Sequence, residues 1–535
     1  MAAGDVEAVA LPTAATVEHE QEHEQERRLD KDDAGDVHGD DGGASLHSSA
    51  KSTARDSLLH YLDRLSLTLN KVSVESIGIR PLRPEERNSE TWWSVSLVWF
   101  SSNLNILSFS TGTLAPLLGL NMKSALVTIL LFSAFSSLFP AYFALFGSNL
   151  GIRQMVHARY SFGYFGAILI CLLNAASMLG YCILNTIVGG QTLSAVSRPD
   201  ATGAPTLTPT VGIVVASVIA LVVSFSGIRV LHYFERIVWL PSLICFCILV
   251  GKMGTGPDGL HTPAVEEPTT ARSVLAMGSI LAGFIISYSS LISDVSHYLK
   301  PSTPSLALFL SCWAGFFFSC TPILMLGAAV ACAAVDIPAW EEALAVSSGT
   351  FLDLILGGTL GGFGKFLQVL LALSVVGNIS ATIYSLGLTI QTMVPPLGRA
   401  PRFIWPLFAF AIFLPLAIVG ASRFYTTLSN FTAVLGYWAS LYVAVVLTDH
   451  WIVRRGRWAS YDLAAWNRWE LLPTGASAVG ACALSLALVV PCIDQVWFVG
   501  PIAEKVGDLG FEVGLVLAAI LYPPLRLVEK RLVGR

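Results

Sequence analysis

Charge is scarce in this chain. Only 13% of its 535 residues are charged while 54% are hydrophobic, and a soluble protein carries about 25% charge. The charge that exists is unevenly spread. Residues 1–50 hold thirteen Asp or Glu against three Lys or Arg, a local net of −10. The formal net charge of −5 therefore belongs to one end, and nothing in it suits a nucleic acid partner. Histidine is equally sparse, with ten residues. The chain has no Gly-rich phosphate loop, no nucleophile elbow and no buried His-Glu cluster, so no catalytic constellation is visible and an enzyme is not expected. A membrane-embedded enzyme is the alternative from a different class, and it would need an acid, histidine or metal cluster inside the apolar runs. The nine cysteines lie almost entirely within those runs, where small polarizable packing residues are at home. No metal or cofactor is expected from them.

Long apolar runs are what the chain has instead. Residues 1–55, rich in acidic residues, Gly and Ser, cannot bury enough apolar surface to fold and read as a disordered cytoplasmic tail. Residues 56–91 begin with Leu58, Leu62, Leu65 and Leu69 at helical spacing, an amphipathic segment. A membrane helix needs about 20 apolar residues. Twelve such segments follow: 93–118, 123–147, 163–189, 209–226, 233–252, 273–292, 304–334, 366–392, 402–420, 424–448, 472–492 and 509–527. The stretch 337–360 is less apolar at its start and reads as an external loop with a short helix. Loops on the N-terminal side of the membrane carry fifteen Lys or Arg beyond residue 91, against seven on the other side. That bias places both termini in the cytoplasm.

Polar residues inside the spans mark where chemistry can happen, since each unsatisfied one is costly in hydrocarbon. Span one contains Ser101, Ser102, Asn103, Asn105, Ser108, Ser110, Thr111 and Thr113, followed by Pro116. This density predicts a helix that breaks in mid-membrane and offers backbone groups to a solute or ion. The competing reading is Ser and Thr bonding back to their own helix, with small residues packing closely. Span six repeats the pattern in Gly283 and Ser287-Tyr288-Ser289-Ser290, ending at Ser293-Asp294. In span eight, Ser374, Asn378, Thr382 and Ser385 share one helix face. In span three, Tyr181 and Asn185 stand one turn apart, a ring beside an amide. That pair suits a flat heterocycle, and taken alone it is more often interhelical packing.

Several short motifs then resemble one family. They are Arg83-Pro84-Glu85-Glu86-Arg87 before Trp92-Trp93, Trp99-Phe100-Ser101-Ser102-Asn103, and Arg159-Tyr160-Ser161-Phe162-Gly163. Further along come Asn185-Thr186-Ile187-Val188-Gly189-Gly190-Gln191, Ser293-Asp294, and Gly377-Asn378 with Tyr384-Ser385. Over residues 80–530 they resemble the nucleobase-cation-symport-1 family, in its fungal purine-cytosine permease branch. The resemblance implies an all-α polytopic protein of about twelve transmembrane helices with a 5+5 inverted-repeat (LeuT-like) core. The ten-helix core is expected over 92–450, with two additional helices over 451–535. It implies a proton-coupled symporter at the plasma membrane that imports a nucleobase or related small heterocycle by alternating access. A nucleoside, a pyridoxine-type vitamin or a hydantoin-like ring is the alternative solute.

The resemblance also suggests site residues. Tyr181 and Tyr288 stand where the family carries Trp. Asn185 and Asn378 match its amides, and Ala381 and Thr382 replace a Pro-Asn pair. Asn103, Asn105 and Ser108 complete the expected substrate set. The family's sodium-binding Ser-Thr pair falls on Val376 and Gly377, which have no side-chain oxygen, so the co-transported cation is expected to be H+. Asp294 is the candidate proton carrier, and the competing reading makes it a cap or ion-pair partner at the inner end of span six.

Overall fold

The structure is a computed structural model that describes residues 78–197, 206–225, 227–254, 259–263, 268–394, 397 and 404–535, with the backbone alone for 227–236. The acidic tail and residues 56–77 lie outside the described residues. Each of the twelve apolar segments falls on helix. By length and composition, seven described helices can cross a membrane. One of them, Ile404–Val453, is two spans joined across the short turn Ala421–Arg423. Shorter apolar helices at Ile106–Leu117, Pro209–Phe225, Ile237–Met253 and Ala476–Cys492 account for spans one, four, five and eleven. The stretch 337–360 forms two short helical pieces rather than one, beginning at Pro338 and at Ser348. Large apolar side chains such as Phe165, Val222 and Val419 are exposed on the outer faces of their helices, as lipid-facing residues are.

Two spans break where polar residues gather. Span one runs as Trp93–Asn103 and restarts as Ile106–Gly112. Leu104 and Asn105 between them leave the helical conformation. Asn105 caps the second piece, its side-chain oxygen accepting from the amides of Leu107 at 2.8 Å and Ser108 at 3.1 Å, as an N-cap does. Span six runs as Ala271–Ile286, tightens into a 3-10 turn over Ser287–Ser290, and resumes at Ser293–Ser296. Span eight passes through Ser374 with helical backbone angles. The Ser374 hydroxyl accepts from the Ile106 amide at 3.3 Å, so span eight is tied to the break in span one.

Span three extends further than its apolar run, over Gln154–Val196, with non-helical backbone at Gly163 (φ 70°, ψ 176°). Only glycine adopts that region freely. A Cβ there would also meet the Pro473 carbonyl at the start of span eleven. The Gly that closes the Arg159–Gly163 motif is therefore a backbone requirement.

Spans three and eight pack along each other, as do one and seven, six and ten, and twelve against ten and eleven. Residues 78–91 run beneath this bundle as a strap. Leu82 N donates to Gly151 O at 2.9 Å. Ser89 bridges to residues 298–300 in parallel fashion, through Ser89 N to Tyr298 O at 3.2 Å and Lys300 N to Ser89 O at 3.1 Å. Buried Arg87 donates to Leu299 O at 3.0 Å and to Ser148 O. Arg80 pairs with Glu86 at 2.7 Å, and its guanidinium, followed by the Arg83 amide, holds the Glu86 carboxyl down to about 2. The strap thus links the turn between spans two and three to the loop after span six. A charge-assisted bond of this kind contributes about 1.5–3 kcal/mol. Arg87→Ala is expected to lower initial uptake rates by about fivefold per surface molecule, within what such a bond allows. Radiolabel uptake normalised to surface protein checks it, and a wild-type rate would show that the strap is passive.

Candidate functional site

The broken spans bring one polar centre together. Asn378 of span eight is its node. The Asn378 amide nitrogen donates to the Ser102 carbonyl and to the Tyr288 hydroxyl, both at 3.1 Å. Its oxygen accepts from the Asn185 amide nitrogen at 3.0 Å and from the Thr382 hydroxyl at 3.5 Å. Spans one, three, six and eight therefore meet at one side chain. A helix end exposed by a break must have its carbonyls satisfied. Here Asn378 and Asn105 both read the carbonyl of Ser102, at 3.1 and 2.6 Å.

Around the node stands a cage of rings. Tyr288 lies 5.5 Å from Trp99, 5.3 Å from Phe316 and 6.0 Å from Tyr181, centroid to centroid. Phe431 of span ten stands edge-on to Tyr181 at 5.8 Å. The Tyr181 hydroxyl reaches across to span six, 3.2 Å from the Gly283 carbonyl, 3.1 Å from the Phe284 carbonyl and 3.0 Å from the Ser287 hydroxyl. The Tyr181 and Tyr288 rings are tilted by 31°. A flat solute between two rings needs about 7 Å, twice the carbon contact distance. At 6.0 Å the tyrosines touch each other, so one must move before a planar molecule can stand between them.

Several buried polar atoms in this region have no partner among the described residues. They include the side-chain oxygens of Asn103 and Asn185 and the indole nitrogen of Trp99. Buried polar groups are normally bonded, so these three are open to a solute that brings a donor edge and an acceptor.

Tyr181, Asn185, Tyr288, Asn378 and Thr382 come together in this centre. Asn103 sits beside Ser102, its amide nitrogen bonded to Trp99 O at 2.8 Å. Asn105 and Ser108 stand at the span-one break itself. Asn105 spends its amide as a cap, and the Ser108 hydroxyl donates to Asn103 O at 2.6 Å, so both build the break. Asp294 lies apart from the centre, at the C-terminal end of span six. Its side chain accepts from the Gln154 amide at 3.2 Å, at the first turn of span three. Trp99, Phe316 and Phe431 were not among the expected site residues. Trp99 stands one turn before Asn103 and so on its face, a signal the sequence did carry. Val376 and Gly377 lie next to the node and offer no side-chain oxygen.

With this geometry in place, similarity to known proteins is informative. Residues 82–514 match the family model described as permeases for cytosine/purines, uracil, thiamine and allantoin. This chain belongs to that family. A purine-cytosine permease of Emericella nidulans is 33% identical over 488 residues, covering 90% of this chain and 94% of the relative. One from Saccharomyces cerevisiae is 31% identical, covering 87% and 88%. The vitamin B6 transporter of Saccharomyces cerevisiae is 27% identical, covering 88% and 90%. Among solved structures, Mhp1, a nucleobase-cation-symport-1 family transporter in a closed conformation with bromovinylhydantoin bound, superposes with a TM-score of 0.64. It is 17% identical and covers 86% of this chain and 97% of its own. A Na+-coupled sialic acid symporter superposes with a TM-score of 0.54 at 12% identity, covering 88% and 95%. The fold is thus that of the LeuT-like transporters, and the permease is a multi-pass membrane protein rather than an enzyme.

Proposed function

We propose that this permease is a secondary active symporter that imports a nucleobase or related small heterocycle, coupled to protons, across the plasma membrane with both termini cytoplasmic. The observation that carries the solute assignment is the Asn185–Asn378 pair set among aromatic rings. Amides offer a donor and an acceptor side by side, which is what the edge of a nucleobase presents. The purine-cytosine permeases named above support this solute class. Asn378 holds Tyr288 through its amide nitrogen. A solute that takes that donor frees the tyrosine to swing, which couples recognition to opening of the ring pair. Pyridoxine is the second solute to test, because the vitamin B6 transporter aligns over most of both chains. Uptake of labelled adenine, hypoxanthine, cytosine, uracil and pyridoxine into cells lacking their own permeases tests the assignment. No uptake of any of them at matched surface expression would overturn it.

Proton coupling is supported by the residues that span eight sets beside the span-one break. Sodium is a hard cation that wants oxygen ligands, as Ca²⁺ and Mg²⁺ do. Val376 and Gly377 supply none, and the Ser374 hydroxyl is occupied with Ile106 N and with Leu371 O at 2.6 Å. Asp294 is the proposed carrier. Its bond to Gln154 N joins span six to span three, and protonation would weaken that link at the inner end. Asp294→Asn keeps the shape and removes the titration. Uptake by the parent is expected to rise as the medium is acidified, to persist without sodium and to collapse with a protonophore. The variant is expected to lose that pH dependence. Sodium-dependent uptake that ignores the protonophore would refute proton coupling, and an unchanged pH profile in Asp294→Asn would refute the carrier.

A further inference from the structure

A second space, of mixed lining, lies beyond the aromatic centre, at the ends of spans one, six and ten. It is a cavity of about 370 Å³, within the usual range for small-molecule sites. Leu118, Ile280 and Val499 give it apolar walls, while Ser429, Asn430 and Gln495 give it polar ones. Its roof is the short hairpin between spans eleven and twelve, in which Asp494 pairs with Val499 and Gln495 with Phe498. Two contacts hold this roof down. Asp494 receives Arg272, at the start of span six, through two parallel bonds of 2.6 and 2.8 Å. Gln495 donates to Tyr437 of span ten and to Asp508, both at 2.9 Å.

Three features say what the cavity would take. Among the described residues, the charged groups in its lining are Arg272 and Asp494, and they neutralise each other. An ion would find no counter-charge there, so the wall suits a neutral molecule. The Asn430 amide lines the space and has no side-chain partner among the described residues, leaving a donor and an acceptor open. The cavity also adjoins the centre. Phe431, next to Asn430, packs its ring on Tyr181, and Ile280 stands one turn before the Gly283 and Phe284 carbonyls that Tyr181 binds.

We propose that this cavity is an outer capture site, where a neutral planar heterocycle with hydrogen-bonding edges docks before it passes Phe431 to the aromatic centre. The site is separate from the centre and binds without it. The proposal rests on the transport reading above for the identity of the solute.

The test uses the full-length permease in intact cells. Cysteine is placed in the cavity wall by Ala276→Cys and, independently, by Val499→Cys. A membrane-impermeant maleimide reads access from outside, with the parent chain as background. The probes are adenine, hypoxanthine, cytosine, uracil and pyridoxine at saturating concentration. At least one is expected to slow labelling by threefold or more at either position. The same protection is expected when Asn185→Ala disables the central site, and Asn430→Ala is expected to raise at least threefold the concentration needed for it. Protection that disappears with Asn185→Ala would overturn the capture site, since the cavity would then be only a passage. Failure of every probe to protect, or no labelling from outside, would overturn it as well. Uptake by the parent, measured alongside, reports separately on whether the transport reading stands.

Discussion

Asn378→Ala is expected to lower uptake by about a hundredfold while the protein still reaches the cell surface. Its side chain bonds to spans one, three and six at once. Its loss leaves the Ser102 carbonyl with one donor fewer, and leaves the Asn185 amide and the Tyr288 hydroxyl short of partners in a buried place. Each orphaned group costs about 1–3 kcal/mol, and about 2.7 kcal/mol is a hundredfold. Asn185→Ala should do less harm to the frame, because Asn378 keeps Ser102, Tyr288 and Thr382 as partners, but should lose the solute equally. Its side-chain oxygen is one of the unpartnered buried atoms. The measurement is radiolabel uptake with surface protein quantified by biotinylation. Near-normal uptake by both variants would remove these amides from the site. Their disappearance from the surface would make them framework residues instead, and binding of labelled solute to detergent-solubilised protein would separate the two cases.

The sequence made the spans legible because membrane hydrocarbon imposes a strong one-dimensional rule. Every backbone group must be satisfied inside the segment, so the twelve runs of apolar residues had to be helices. The breaks were legible for the opposite reason. Eight Ser, Thr or Asn within residues 101–113 have no business in hydrocarbon unless the helix opens. What could not be read was which of those residues serve the break and which serve a solute. Asn103 and Asn105 are two positions apart and chemically identical. One carries an unpartnered buried oxygen, and the other is spent as a cap. That difference is set by φ and ψ at Leu104 and Asn105, and no pattern of residue types encodes it. The contact between Tyr181 and Tyr288 was hidden in the same way. Both positions were readable, whereas their 6.0 Å separation depends on how spans three and six cross. The hairpin that roofs the outer cavity lay in a connection that hydropathy passes over.

Gly283→Leu is expected to remove the permease from the cell surface altogether, and Gly283→Ala to cut uptake by about tenfold or more. In the sequence this glycine reads only as part of a small, polar stretch. In the structure it is where spans six and ten touch backbone to backbone. A Cβ on Gly283 would collide with the Thr432 carbonyl and stand 2.8 Å from the Gly436 amide nitrogen. The partner glycine, Gly436, is close as well, though less tight, its own Cβ meeting Ser279 O at 3.1 Å. Both neighbours are main chain in mid-helix, so no side chain can turn aside and the two spans must separate. Overpacking of a close interface costs about 1–3 kcal/mol, and about 1.4 kcal/mol already means tenfold. Separation also pulls the Gly283 carbonyl away from the Tyr181 hydroxyl, so the disturbance reaches the aromatic centre directly. Gly480 supplies the contrast. It lies in the helix Ala476–Val489 with nothing within 4 Å of a Cβ. Gly480→Ala should therefore keep full uptake and gain about 0.5–1 kcal/mol from helix propensity. Surface biotinylation, uptake and thermal stability in detergent distinguish the two glycines. A Gly283→Leu protein that reaches the surface and transports normally would show that spans six and ten do not cross this closely in the working permease.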